Sequence, residues 1–208
     1  MTAEGRGPAL GLIHVLDDDE AVRTALDRLL TALGYEVRTH ASPASYLLEP
    51  APTGPCCLIL DVRMPGVSGL EMQTALARLG STVPIIFLTG HGDVPMSVRA
   101  MRAGAVDFLM KPVNRDLLLA AVEAAFAHHA TTVTGRQQKG EVHTRYQTLT
   151  TREREVFEGV VAGKLNKQIA AQLDIAERTV KAHRAQAMEK MHAQSVADLV
   201  RAWELLHK

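Results

Sequence analysis

The chain has 208 residues, 47% of them hydrophobic and 22% charged, with 23 basic side chains against 23 acidic ones. That length accommodates one large or two small domains with cores of their own, and that composition excludes wholesale disorder. The zero net charge argues against a uniformly basic nucleic-acid binder but hides an asymmetry: residues 1–128 carry 10 Lys+Arg against 14 Asp+Glu, a net −4, and residues 129–208 carry 13 against 9, a net +4. An acidic half joined to a basic half fits a regulatory module coupled to something that meets phosphate.

Met1 to Leu10 has no charged region followed by an apolar stretch, so no secretory signal is expected. No run of about 20 apolar residues follows, so no membrane span is expected either. From there, short apolar runs alternate with amphipathic stretches. Strands are predicted at Leu12–Leu16, Glu36–Thr39, Cys57–Leu60, Ile85–Leu88 and Ala105–Leu109, and helices near 20–33, 43–49, 68–79, 95–103 and 114–128. Five strand–helix pairs in succession predict an α/β doubly wound, five-stranded parallel sheet. The only cysteines, Cys56 and Cys57, are adjacent in an apolar run and cannot staple distant segments. They suit reduced thiols beside a strand, and the chain is expected in the cytoplasm.

Residues 129–147 lose the apolar periodicity. Thr131, Thr132, Thr134, Gly135, Arg136, Gln137, Gln138, Lys139 and Gly140 read as a linker. Beyond it an all-α, four-helix unit is predicted over 148–208. Thr150-Thr151-Arg152-Glu153 is a capping box that opens its first helix. Further patterns run from Lys167 to Leu173, with Asn166 expected as N-cap, from Glu177 to Met191, and from Ser195 to Leu206.

Doubly wound sheets bind ligands at the carboxyl ends of their strands. Asp17, Asp18 and Asp19 close the first strand and Asp61 closes the third. Thr89 closes the fourth, and Lys111-Pro112 follows the fifth. Clustered carboxylates repel one another, and a hard divalent cation such as Mg²⁺ relieves that cost while leaving places for water and phosphate oxygens. A carboxylate beside Mg²⁺ can attack a phosphoryl group and form an acyl phosphate. A nearby lysine and hydroxyl then meet the new oxygens. An Asp triplet alone is as readily a helix cap, and an Asp before Met64-Pro65-Gly66 a turn. The joint order of all four features carries the pocket.

Val15-Leu16-Asp17-Asp18-Asp19-Glu20, Leu60-Asp61-Val62-Arg63-Met64-Pro65-Gly66, Leu88-Thr89-Gly90-His91-Gly92-Asp93 and Asp107-Phe108-Leu109-Met110-Lys111-Pro112 together resemble the receiver domains of two-component response regulators, over residues 10–128. The resemblance implies a flavodoxin-like fold with Asp61 as phosphoacceptor. Asp18, Asp61 and the Arg63 carbonyl would bind Mg²⁺, and Asp17 would hold a water in that site. Thr89 and Lys111 would contact the phosphoryl group, with Phe108 as the switch aromatic. It also implies a cis Lys111–Pro112 bond, with Asp19 only a solvated neighbour. Phosphorylation by a sensor histidine kinase would shift 95–103 and 105–109 and promote homodimerisation.

In the basic half, Gln168-Ile169-Ala170-Ala171-Gln172-Leu173, then Asp174-Ile175-Ala176, then Glu177-Arg178-Thr179-Val180 reads as helix, turn, helix. At about 100° per residue Val180, Arg184, Ala187 and Met191 fall together as the packed side. Arg178, Lys181, Ala182, Ala185 and Glu189 lie opposite. Leu149-Thr150-Thr151-Arg152-Glu153-Arg154-Glu155-Val156, Ala162-Gly163-Lys164-Leu165-Asn166-Lys167-Gln168-Ile169-Ala170 and Arg178-Thr179-Val180-Lys181-Ala182-His183 resemble the LuxR-type helix-turn-helix, and with the receiver they imply the NarL/FixJ class, closer to its FixJ branch. The resemblance puts Lys181, Ala182 and Ala185 toward bases, and Lys167, Thr179, His183 and Arg184 on the phosphate backbone of double-stranded DNA, with Arg178 on the same face. Ala176 stands where the family often has a capping Ser, and Asp174 is the candidate to cap from upstream. In the last helix Val196, Leu199, Val200, Trp203 and Leu206 form an apolar stripe. RNA polymerase is a further candidate partner.

The resulting expectation is a phosphorylation-gated transcription factor and not an enzyme. Two alternatives stay open: an Mg²⁺-dependent phosphohydrolase using Asp61, against which Arg63 stands where a second acid–base carboxylate is needed, and a constitutive DNA binder whose first unit only dimerises.

Overall fold

The computed structural model describes residues 10–207 apart from 51, 53 and 91–93. Two compact units divide between Val133 and Thr134. The first alternates β1 (Leu12–Leu16), α1 (Glu20–Ala32), β2 (Glu36–His40), α2 (Pro43–Leu47), β3 (Cys56–Asp61), α3 (Gly69–Arg78), β4 (Ile85–Thr89), α4 (Val94–Arg102), β5 (Asp107–Met110) and the start of α5 (Arg115–Gln147), whose residues from Thr134 belong to the second unit. All strands are parallel, in the order β2-β1-β3-β4-β5. This is the doubly wound sheet the sequence predicts.

A parallel sheet is covered on both faces, so its central strands are apolar along their whole length. All six residues of β3 and all five of β4 are buried. Alternate side chains feed two cores. Ile13, Val15, Cys57, Ile59, Ile86 and Leu88 pack with α1 and α5, and Leu16, Leu58, Leu60 and Phe87 pack with Met72, Leu76 and Ala100. The fifth strand begins two residues later than predicted, because Ala105 N–H is spent on the Ala100 carbonyl (3.1 Å), closing α4 through Gly104 at φ 92°. Gly takes that left-handed conformation without the Cβ penalty.

Among the core's polar residues, His14 and His40 are buried and joined by a 3.0 Å hydrogen bond between Nδ1 and Nε2, with Tyr46 edge-on to both rings. Burial, and then the neighbouring His40, lower the His14 pKa to about 4.

Residues 129–147, read as a linker without a helical pattern, are helical as part of α5. No proline interrupts α5, and three of its threonines bond within the helix. The Thr131, Thr132 and Thr144 hydroxyls donate to the carbonyls of Ala127, His128 and Gly140, one turn back. Such back-bonding needs no apolar face, which is why hydrophobic periodicity does not report it. Leu118, Ala121, Val122 and Ala125 of α5 lie in the first unit's core, and Val142 and Tyr146 pack in the second's.

The second unit holds α6 (Thr151–Val161), α7 (Asn166–Leu173), α8 (Glu177–Lys190) and α9 (Val196–His207) around Val156, Phe157, Ile169, Val180, Met191 and Leu199. The predicted capping box is present: Thr150 Oγ1 accepts from Glu153 N–H, and Glu153 Oε2 from Thr150 N–H. The same carboxylate takes Lys190 Nζ at 2.7 Å, tying α6 to the end of α8. Two cap expectations are corrected. Asn166 is the first residue of α7 and not its cap; Leu165 caps, its N–H donating to Gln168 Oε1. Asp174 does not cap α8; at φ 53°, ψ 49° it closes α7 instead. Of the α9 stripe, Leu199 is buried and Trp203 partly so, but Val196 is exposed and Ala202 takes a core place.

With His14 buried and neutral, its folded pKa lies below the unfolded value of about 6.5. Its contribution to stability is therefore present above pH 6.5 and is lost as the pH falls from there toward 4. Urea midpoints by circular dichroism should decline across that window, and His14→Leu should flatten the decline.

Candidate functional site

Three strand ends converge at the carboxyl edge of the sheet. β1 delivers Asp17, β3 ends on Asp61, and the turn after β5 carries Lys111. One carboxylate oxygen from each of Asp17, Asp18 and Asp61 lies within 4.8 Å of the other two. Asp17 and Asp61 are buried, and Asp18 is exposed at the mouth. Lys111 Nζ bridges the buried pair, 2.5 Å from Asp17 Oδ2 and 2.8 Å from Asp61 Oδ1. Asp61 Oδ2 accepts from Arg63 N–H at 2.8 Å. Thr89 is buried at the end of β4, and its carbonyl accepts from Lys111 N–H at 2.7 Å, so hydroxyl and ammonium come from adjoining backbone. Phe108 is half-buried, its ring 6.1 Å from Phe87. The Lys111–Pro112 bond is cis. His91, Gly92 and Asp93 lie outside the described residues.

Sequence reasoning took Asp19 for a bystander. It is the N-cap of α1, accepting from the Ala21 and Val22 amides. The triplet thus divides its labour: Asp19 caps, while Asp17 and Asp18 face the pocket. Arg23 was missed. Its guanidinium donates to the Asp17 and Asp18 carbonyls at 2.8 and 2.9 Å, pinning the loop that presents both. A cation one turn into a helix after an acidic loop was the available signal.

Burial pushes the Asp17 carboxyl above its ordinary value, against the hydrogen bonds from Lys111 and the Asp19 amide. Burial also works against the charge on Lys111, but its bonds to Asp17 and Asp61 prevail and hold the ammonium above its ordinary value. Three carboxylates against one ammonium leave net negative charge in an all-oxygen donor set. That set fits Mg²⁺, a small hard cation that takes carboxylates and keeps water ligands.

Gly69 presses α3 against this loop. Its N–H donates to Val62 O at 3.0 Å, and a Cβ there would stand 2.3 Å from the Asp61 carbonyl.

In the second unit, Arg178, Lys181, Ala182 and Ala185 of α8 are exposed, while Val180 and Ala187 on the other side and Met191 just beyond are buried. Lys167 is exposed in the first turn of α7; Thr179, His183 and Arg184 are half-buried. Arg184 donates to Asn166 Oδ1 at 3.3 Å, so it holds α7 against α8. Ala176 is the N-cap of α8 and makes no side-chain cap bond, as expected.

Comparison with known proteins finds two families. Residues 13–123 match the response regulator receiver domain, and residues 147–203 match the bacterial regulatory proteins of the luxR family. The response regulator protein TmoT of Ectopseudomonas mendocina is 45% identical over 195 residues, covering 94% of this chain and 89% of that protein. The transcriptional regulatory protein FixJ of Rhizobium meliloti is 43% identical over 189 residues, covering 91% and 93%. The solved structure of the response regulator StyR, 42% identical, matches 93% of this chain and 98% of its own at a TM-score of 0.79. Among the described residues no helix is long and apolar enough to cross a membrane.

Gly69→Ala should force α3 away from the Asp61 loop at about 1–3 kcal/mol, the usual cost of overpacking. Thermal unfolding should show the loss, and calorimetric titration should show weaker Mg²⁺ binding. Unchanged Mg²⁺ affinity would mean that α3 does not set the pocket.

Proposed function

The chain belongs to the two-component response regulators of the NarL/FixJ class, near the FixJ branch, and from that membership we propose which of its residues receive, sense and transmit the phosphoryl signal. A phosphorylation-responsive receiver is joined to a LuxR-type DNA-binding domain, so a kinase and DNA are its partners. Both matched families are regulatory, which removes the phosphohydrolase alternative. Residues 10–128 serve as receiver, 129–147 as linker and 148–208 as DNA-binding domain.

Asp61 is the phosphoacceptor. One carboxylate oxygen attacks phosphorus on a phosphohistidine of the kinase. The P–O bond forms, the P–N bond breaks, and the imidazole nitrogen keeps the electron pair. Asp18, Asp61 and the Arg63 carbonyl would hold Mg²⁺, with Asp17 orienting a water. Bound there, Mg²⁺ supplies positive charge to the phosphoryl oxygens. Lys111 turns from the carboxylates to those oxygens, and the Thr89 hydroxyl donates to them. The observation that carries this reading is the convergence of Asp17, Asp18, Asp61 and Lys111 from separate strand ends.

The new group adds about −1.5 to −2 charge. Thr89 moves to meet it, Phe108 fills the space, and α4 and β5 shift. Val94, Val98 and Met101 form an exposed apolar stripe along α4, with Met110 exposed on β5. That stripe supports homodimerisation through this face on phosphorylation. Two DNA-binding domains then read two half-sites together, gaining affinity without new contacts. Lys181, Ala182 and Ala185 face base edges, with Arg178 beside them, and the two alanines suit thymine methyls. Lys167, Thr179, His183 and Arg184 meet phosphates, and contact with RNA polymerase belongs to the same reading.

Selection of genomic fragments by the purified protein tests it. A repeated half-site should be enriched only with Mg²⁺ and beryllofluoride, and equal enrichment without the mimic would mean the receiver does not gate binding. On the selected site, Lys167→Ala should weaken binding for all sequences and lower the salt slope by about 1, whereas Lys181→Ala should cost about 1–3 kcal/mol and relax specificity.

A further inference from the structure

A buried side chain hydrogen-bonds the helix that the phosphoryl signal is proposed to move to its neighbour. Gln73 lies on α3 one turn after Gly69, and is 4% exposed among Met72, Leu76 and Ala100. Its amide Nε2 donates to the Ala100 carbonyl at 3.1 Å. A carbonyl only accepts, so the amide nitrogen must face it. That carbonyl also accepts from Ala105 N–H, the bond that turns the chain from α4 into β5. One oxygen at the junction of α4 and β5 is thus shared with a third element, α3, through Gln73.

Gln73 also leads back to the pocket. Residues four apart share a face of a helix, so Gln73 follows Gly69 along the side of α3 that presses on the Asp61 backbone. Beside the bond, the seam between α3 and α4 opens into a cleft lined by Leu70, Glu71, Thr74, Arg99 and Ala103. The hydrogen bond adds a directional tie to the apolar packing of Leu70, Met72 and Leu76 with Met96 and Ala100.

We propose that Gln73 is a positioning residue that holds the α4–β5 junction in its resting placement and sets how readily the receiver switches. The proposal rests on the reading of α4 and β5 as the face that pairs on phosphorylation. A buried hydrogen bond present in the resting state and released on switching shifts that equilibrium toward rest. Removing the donor while keeping the volume shifts it the other way.

The test uses the full chain with Gln73→Met, and with Gln73→Asn, whose shorter side chain withdraws the amide, should the first not fold. Self-association is measured by sedimentation with and without Mg²⁺ and beryllofluoride, and hydrogen exchange is followed over α4. Without the mimic, the variant should associate roughly ten- to a hundredfold more tightly than wild type, because each of two protomers is freed of a hydrogen bond worth about three- to tenfold. With the mimic the two should coincide, and α4 amides should exchange faster only in the resting variant. A merely structural role would lower thermal stability and leave the ratio between the two conditions as in wild type, which overturns the proposal, as does unchanged α4 exchange. If wild type gains no association from the mimic, the dimerisation reading fails separately, and the role of Gln73 is decided on exchange alone.

Discussion

Lys111 Nζ lies between Asp17 and Asp61, two carboxylates that are buried and would otherwise repel each other. The contact follows from the positions of the strand ends, because the lysine reaches the pocket only when β5 lies beside β4 and β4 beside β3. The contact is also what makes the site responsive. One ammonium shared between two carboxylates is committed to neither, and in the proposed reaction a phosphoryl group bearing about −1.5 to −2 charge would compete with both for it. Attraction that holds the resting pocket is therefore available to be redirected, with the backbone bond from Lys111 to Thr89 carrying hydroxyl and ammonium together.

The helical unit works differently. Its reading face is offered by a helix with no side-chain cap, so α8 is held by what lies beneath it: Val180 and Ala187 with Met191 in the core, Arg184 bonded to Asn166 of α7, and Lys190 on the buried Glu153 of α6. Losing a cap costs about 1 kcal/mol, an amount that tertiary packing of this extent absorbs. The exposed side carries Arg178, Lys181, Ala182 and Ala185 beside Glu189, and its cations and alanines suit contact with phosphates and base edges. A platform with weak individual contacts gains most from being paired, which is what the proposed dimerisation of the receiver would provide.

Most of this was readable in the sequence where burial imposed a period. All five strands and the order of helices followed from apolar runs, and the pocket from polar residues placed just after them. What escaped depended on local bonds or distant partners. Residues 129–147 are helical without interruption by proline and with threonine hydroxyls that find partners within the helix, and they carry no apolar stripe that periodicity could report. Asn166 is a good capping residue by type, yet Leu165 caps because Gln168 reaches back to its amide. Asp19 read as a solvated neighbour of the pocket, whereas it is the residue on which α1 starts. The His14–His40 pair and the Gln73–Ala100 bond each join residues more than twenty-five apart, and neither follows from spacing along the chain.

The most direct test is to find where the phosphoryl group goes. The purified chain is incubated with Mg²⁺ and acetyl phosphate, quenched, and mapped by mass spectrometry. The account predicts a single phosphoryl adduct on the peptide that carries Asp61, dependent on Mg²⁺ and absent from Asp61→Asn. An adduct on another residue, or an equal yield in Asp61→Asn, would contradict it.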